Sequence, residues 1–83
     1  MSVEMDTEQE WTIRASALLL KRKIVAVRYI SQDEADAFGW SRRSVAFRLD
    51  NGVWVFASSD DEGNEAGALF TTDKDTGTLP VIV

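Results

Sequence analysis

Hydrophobic residues at the start of the chain recur with the spacing of an α-helix and then with that of a strand. Trp11, Ala15 and Leu18 lie at i, i+4 and i+7, which puts them on one side of a helix. This pattern predicts a helix over residues 6–19. The β-branched segment that follows, which ends near an aromatic residue, predicts a strand over residues 23–30.

The segment "SQDEADAFGW", residues 31–40, contains the signals that begin and end a short helix. Ser31 can cap the helix, and Glu34, three residues later, completes a capping box. Gly39 can adopt the left-handed conformation that closes a helix. We therefore expect a two-turn helix over residues 32–38, after which Trp40 folds back on it.

The segment "SVAFRLDNGVWVFAS", residues 44–58, is typical of a β-hairpin. Asn51 and Gly52 form the preferred two-residue loop, in which both central residues need positive φ. With this pair as the turn, Leu49 lies opposite Trp54, and the register follows. That register predicts one face made of Val45, Phe47, Leu49, Trp54 and Phe56, and another made of Ala46, Arg48, Asp50, Val53, Val55 and Ala57.

Two further segments complete the predicted fold. "GALFTT" indicates a short strand or turn, and "TLPVIV" a final strand. We predict an α+β fold in which an N-terminal helix packs on a small bent antiparallel sheet or incomplete β-barrel, with a short helix inserted between the first two strands. Residues 1–83 form a single domain, and residues 1–5 are expected to be disordered.

The residue types that are missing restrict the chemistry of the chain. Its 83 residues include no cysteine and no histidine, which excludes disulfides, thiolate or imidazole metal sites, and Ser-His or Cys-His nucleophiles. A domain of this size has little chain left to wall a deep catalytic cleft. We therefore expect no enzyme activity, no catalytic residues, no cofactor and no metal site.

The segment "SSDDEGNEAGALF" raises the question of a cation site. It brings four carboxylates close together in sequence, at Asp60, Asp61, Glu62 and Glu65. If Gly63 takes the sixth position of a calcium loop, the twelfth position, which requires a bidentate Glu, is Leu69. We therefore interpret the segment as a solvated acidic turn, with a non-standard cation site as the alternative.

Charge is unevenly distributed, and this suggests candidates for binding. The net charge is −5, yet residues 11–49 carry eight bases against three acids. These bases could neutralise phosphates and Trp40 could stack on a nucleobase. The alternative is that Trp40 is a buried anchor and the bases meet the acidic second half. The candidate partner-binding residues are Trp40, Arg42, Arg43, Arg48, Val53 and Val55.

The chain shows no sign of a membrane or export signal in its sequence. Its acidic N-terminus lacks the basic and apolar regions of a signal peptide. Its longest apolar runs, residues 17–20 and 24–27, are far shorter than the roughly 20 residues that span a bilayer. We expect a cytoplasmic protein that does not contact membranes.

Two quoted segments resemble a known group of proteins. "LLLKRKIVAVRYISQDEADAFGW" and "LDNGVWVFASSDDEGNEAGALF", together roughly residues 18–70, are similar to a family of short, uncharacterised bacterial proteins. That family runs through a strand, an acidic helix ending Gly-Trp, a hairpin, and an Asp/Glu-Gly-Asn loop before Gly-Ala-Leu-Phe. The resemblance implies a fold but no activity. A lesser resemblance is to Sm-like barrels, which lack the inserted helix.

These observations together favour a protein that acts by binding. We predict a non-enzymatic protein-interaction or accessory module that works with an unknown protein partner or as a homodimer. The predicted dimer interface includes the outer face of the hairpin or the C-terminal strand, since apolar strands need cover. The alternative is a small nucleic-acid-binding regulator that uses the basic middle segment.

Overall fold

The structure, a computed structural model, describes residues 7–58 and 66–82. Its elements are α1 (Thr7–Leu19), β1 (Ile24–Tyr29), α2 (Gln32–Ala37), β2 (Val45–Leu49), β3 (Trp54–Ala57), β4 (Leu69–Thr71) and β5 (Thr78–Leu79). The strands form one antiparallel sheet in the order β1-β2-β3-β4-β5. The expectations for residues 1–5 and for the acidic segment 59–65 lie outside the described residues.

The first helix begins and ends close to where the hydrophobic pattern predicts. Leu18 is its buried residue, and Trp11 and Ala15 are half-buried. No glycine follows the helix, and Lys21 instead takes the left-handed conformation, with φ 63°. A lysine therefore occupies a left-handed position that is usually filled by glycine where a helix ends in this way.

The short second helix forms as its sequence predicts. Ser31 Oγ accepts a hydrogen bond from the Glu34 N–H, and Glu34 in turn accepts one from the Ser31 N–H, which makes a capping box. Gly39 has φ 76°. At that point the Trp40 N–H donates to Ala35 O over 2.9 Å, so the chain folds back on the helix as expected.

The hairpin forms at the predicted place, but the predicted register is wrong by one residue. The Leu49 N–H donates to Val53 O, and the Gly52 N–H donates to Leu49 O. Asp50 therefore joins the turn, and the loop has three residues that end in Gly52 at φ 87°. Three-residue loops of this kind, in which a left-handed glycine forms a bulge, are the next most common hairpin loops after two-residue loops.

The shifted register exchanges the side chains between the two faces of the sheet. Arg48 lies opposite Trp54, and Phe47 lies opposite Val55. We call one side the aromatic face, which carries Ala26, Arg28, Ala46, Arg48, Trp54, Phe56 and Phe70. The other side is the valine face, which carries Val27, Tyr29, Val45, Phe47, Leu49, Val53, Val55, Leu69 and Leu79.

Each face contributes to the buried interior. On the aromatic face, Ile30, Ala35 and Ala46 form a buried cluster against which Trp40, Trp54 and Phe56 pack. On the valine face, Leu49, Val55 and Leu79 are buried. The expectation that Val53, Val55 and Ala57 form an outer surface that needs a partner is therefore wrong for Val55, which is 0% exposed.

The last two strands are short. The "GALFTT" segment contributes three residues to β4, and "TLPVIV" only two to β5. In the described residues β1 and β5 are each paired on one side, so the sheet is open. The fold is α+β, with an N-terminal helix, a five-stranded antiparallel sheet, and a short helix between the first two strands, as predicted.

Candidate functional site

Trp40 belongs to a cluster of four aromatic rings on the aromatic face. Its indole stacks on Phe38 with 4.7 Å between ring centroids and on Phe70 with 5.9 Å. Phe56, the cross-strand neighbour of Phe70, packs edge-on against that ring at 5.7 Å. The turn at Gly39 places Trp40 in this cluster, so this residue is first of all a packing anchor.

An open cleft of about 1010 Å³ lies beside the aromatic cluster. Its wall combines the turn after α2 with the ends of β1 and β3. Arg43 is held there because its Nε donates to Ile30 O over 2.9 Å. The lining residues that carry polar or aromatic groups are Tyr29, Trp40, Ser41, Arg42, Arg43, Ser44 and Ser58.

Arg42 and Tyr29 are exposed at this cleft. Arg42 forms no ion pair within the described residues, and the side chain of Tyr29 is exposed. The cleft therefore offers a free guanidinium and a free aromatic ring near each other. Tyr29 was not among the sequence-predicted candidates, because its strand position alone did not show that it would border a cleft.

Arg28 links β1 to the start of α2 on the aromatic face. Its guanidinium forms a bidentate pair with Glu34, at 2.8 and 3.1 Å, and lies 4.8 Å from the centroid of the Trp54 ring. The hydrogen bonds from Arg28 and from the Ser31 N–H lower the pKa of Glu34 to about 2. Arg28 is therefore committed to internal contacts and is a poor candidate for an external phosphate.

The free edge strand β1 carries several exposed apolar residues. On the valine face Val27 is 66% exposed and Tyr29 61%, whereas buried Val55 shares that face two strands away. Ile24, Val25 and Val45 are also exposed. The side chains of the valine face are thus buried at β3 and exposed at β1.

Among residues 7–58 and 66–82, the backbone of β1 has no strand partner along this edge. The Ile30 N–H donates to Ser44 O over 2.9 Å, and hydrogen-bonding direction alternates along an antiparallel strand. The groups of Arg28 and Ala26 therefore face β2, and those of Val27 and Tyr29 face outward. Of these outward groups, the Tyr29 C=O accepts a hydrogen bond from Arg28 Nη1 over 3.1 Å. A register shift between Ile24 and Ala26 shortens the regular part of the edge.

The predicted binding residues lie in three different places: the cleft, the aromatic face and, for Val53 and Val55, the valine face. Trp40, Arg42 and Arg43 come together at the cleft. Arg48 lies on the aromatic face, opposite Trp54. The structure therefore does not assemble the basic residues of the middle segment into one patch.

The two valines predicted as a binding surface do not form one. Val53 is half-buried and Val55 is fully buried, because the three-residue hairpin loop turns both towards the valine face. The exposed apolar residues of the sheet are mostly on β1 instead. The open position of β1 follows from the strand order, which the sequence pattern did not reveal.

Comparisons with known proteins identify no relative. No protein-family model, curated protein or solved structure matches this chain. Within the described ranges, no helix is long and apolar enough to cross a membrane. The same residues contain no group of three carboxylates placed to hold a metal ion.

Proposed function

We propose that this protein is a non-enzymatic protein-interaction module that binds an extended segment of a partner along the free edge of β1. The observation that carries the proposal is the exposure of Val27 and Tyr29 on a strand that, in the part of the chain that the structure describes, is paired on one side only. Exposed apolar side chains and unpaired backbone groups on one strand are what an added strand needs.

Proteins usually protect an exposed sheet edge against pairing. The edge of β1 is protected over only part of its length. Lysines, prolines, bulges and covering loops are the common devices. The bulge next to Ile24 protects one end of β1, while Ala26–Tyr29 stays regular and mostly apolar. This four-residue stretch is therefore long enough to begin strand addition and short enough to keep binding reversible.

Selection from a random peptide library on the immobilised protein tests the proposal. We expect enriched peptides to alternate apolar and polar residues, as an added strand on a two-faced sheet would. Val27→Lys should weaken their binding at least about tenfold, since a charge at an edge blocks pairing. The matched control is Val81→Lys, at another exposed valine, and it should bind normally.

Two results would contradict the proposal. One is the absence of any enriched peptide family. The other is equal binding by wild type and Val27→Lys, which would show that peptides bind elsewhere. Because Val27 is mostly exposed, this variant should fold, and a far-ultraviolet circular dichroism melt checks it.

A second candidate function, single-stranded nucleic-acid binding, is favoured by the cleft. Proteins of that class combine cations that follow the backbone with aromatic rings on which bases stack. The cleft places Arg42 and Arg43 near the exposed ring of Tyr29. The net charge of −5 opposes this function.

Fluorescence anisotropy with a labelled oligothymidylate and an oligouridylate at low salt tests this second candidate. We expect binding that weakens with salt and that falls in Tyr29→Ala and Arg42→Ala. Lys74→Ala, which removes an equal charge outside the cleft, is the control. Binding that is absent at low salt, or equally reduced by the control, contradicts the candidate.

A further inference from the structure

The segments that precede and follow β1 in sequence carry opposite charge, while Arg42 and Arg43 also lie near the C-terminal end of the strand, at the cleft. Lys21, Arg22 and Lys23 precede the strand, and the acidic first turn of α2, with Asp33 and Glu34, follows it. Arg22 is 3.8 Å from Asp50, and Glu34 is paired with Arg28. Lys21, Lys23 and Asp33 form no ion pair within the part of the chain that the structure describes.

This arrangement matches a second copy of the same strand in the reverse direction. If two β1 strands pair antiparallel, the basic end of each lies beside the acidic end of the other. Parallel pairing would instead place the lysines of one copy beside those of the other. Opposite charges across an interface favour the first arrangement and oppose the second.

The outward backbone groups of β1 restrict the register in which two copies of the strand can pair. Val27 and Tyr29 face outward, so an odd-numbered residue must lie opposite an odd-numbered residue of the second copy. With Val27 opposite Val27, Val25 lies beside Tyr29 of the second copy, and apolar side chains meet along the valine face. On the aromatic face each Arg28 lies opposite Ala26, so the two guanidinium groups are not directly opposed.

The same register brings the charged ends together. The register shift between Ile24 and Ala26 breaks the regular pairing before Lys23, so Lys23 lies near Ser31 of the second copy rather than directly opposite it, close to the turn of α2 that carries Asp33. The two-fold axis repeats this contact at the other end of the pair. Hydrogen bonding, apolar side-chain contact and flanking charge therefore favour the same arrangement.

We infer that the partner of the β1 edge is a second copy of this chain, paired antiparallel through β1 about a two-fold axis at Val27. The inference rests on the proposed function, because it names the occupant of the same edge. The two sheets become one continuous sheet, and the interface is isologous, as two-fold dimers require.

The size of the contact predicts its strength. A six-residue strand is about 20 Å long, and a single strand pair with its flanking charges lies at the small end of protein interfaces. We therefore expect a reversible dimer with a dissociation constant on the order of tens of micromolar. Its ion pairs are exposed, so high salt should weaken it.

Sedimentation equilibrium of the full chain at about 10–200 µM, a range that brackets that expectation, in low and in high salt tests the dimer. We expect a monomer–dimer equilibrium that shifts towards monomer in high salt. Val27→Lys should abolish the dimer and Val81→Lys should leave it unchanged. A monomer throughout the range in low salt, or a dimer that survives Val27→Lys, overturns the inference.

A charge exchange tests the direction of pairing. Lys23→Glu and Asp33→Lys should each weaken the dimer about fivefold, since each places like charges together at both ends. The double variant exchanges the charges and should recover most of the wild-type affinity. Failure to recover, with both single variants weakened, overturns the antiparallel arrangement.

A cysteine cross-link tests the position of the axis. The chain has no cysteine, so Val27→Cys introduces its only thiol. Directly opposed residues of a hydrogen-bonded antiparallel pair are about 5.5 Å apart between Cα atoms, within the usual range of a disulfide. Mild oxidation should cross-link Val27→Cys rapidly and Val81→Cys slowly, and equal rates overturn the proposed axis.

These experiments separate the two proposals from each other. If the protein is monomeric but Val27→Lys still loses binding to selected peptides, the edge binds other proteins and the inference of self-pairing is wrong. If neither the dimer nor peptide binding depends on Val27, the proposed function is wrong as well. The selection is performed below the expected dissociation constant so that self-pairing does not occupy the edge.

Discussion

Lys21 stores backbone strain at the end of α1. Its φ of 63° lies in the left-handed region, which costs a non-glycine residue roughly 1–2 kcal/mol. Lys21→Gly should therefore raise the free energy of unfolding by about 0.5–1 kcal/mol, after the larger entropy of unfolded glycine is subtracted. Urea denaturation measures the change.

The control for this substitution is Lys23→Gly. Lys23 is not among the described residues with positive φ, so glycine relieves no strain there and should lower the free energy of unfolding by about 0.5–1 kcal/mol. Equal losses in the two variants would show that the conformation of Lys21 is not strained.

Glu34 should make stability depend on pH in the acid range. Its pKa in the folded protein is about 2, below the value of about 4.3 for an unfolded glutamate. A lowered folded-state pKa stabilises the protein above the unfolded value, and this contribution is lost as the pH falls towards 2. Wild type should therefore exceed Glu34→Gln in thermal midpoint at pH 6–7, and the gap should narrow between about pH 4.5 and 2.

Asp33→Asn is the matched control for the pH experiment. Asp33 lies in the same turn. The hydrogen bonds from Arg28 and from the Ser31 N–H go to Glu34 and not to Asp33. Its variant should follow the wild-type pH dependence closely. A gap between wild type and Glu34→Gln that stays constant down to pH 2 would contradict the lowered pKa of Glu34.

At the scale of the element, the hairpin register decides which valine is structural. Val55 is 0% exposed and Val45 is 41% exposed. Val55→Ala should lower the free energy of unfolding by about 2–3 kcal/mol, because it removes two buried methyl groups and leaves a cavity. Val45→Ala should cost less than about 1 kcal/mol. Urea denaturation of both variants, with equal slopes, gives the comparison.

The two-residue turn predicted from Asn51 and Gly52 would give the opposite order of the two losses in stability. In that register Val45 belongs to the same face as Phe47 and Leu49, and Val55 lies on the outer face. A greater loss at Val45 than at Val55 would therefore restore the two-residue turn. Equal losses would contradict both registers.

At the scale of the whole molecule, stability should be lowest in α1. This helix buries one residue, Leu18, whereas the described core belongs mainly to the sheet and α2. Amides of α1 should therefore exchange with solvent at least about tenfold faster than those of β2 and β3, by local opening. Native-state hydrogen exchange followed by NMR measures both sets. Equal protection would show that α1 unfolds only together with the sheet.

Local features of the fold could be predicted from the sequence because their causes lie within a few residues. The capping box of Ser31 and Glu34 and the turn at Gly39 involve partners at most five residues apart, so the segment contains all the information they need. The helical spacing of Trp11, Ala15 and Leu18 likewise predicted α1. The α+β class followed from the order of these elements.

Only the tertiary structure decided the register, the edge of the sheet and the candidate sites. Whether Asp50 joins the turn is a small local difference, yet a shift of one residue moves every side chain of a strand to the other face. The exposure of β1 depends on strand order, and the cleft depends on where Tyr29 meets the turn that carries Arg42. These contacts join distant segments of the chain, so the sequence alone determined the elements, while the packing of the elements determined which residues are left for a partner.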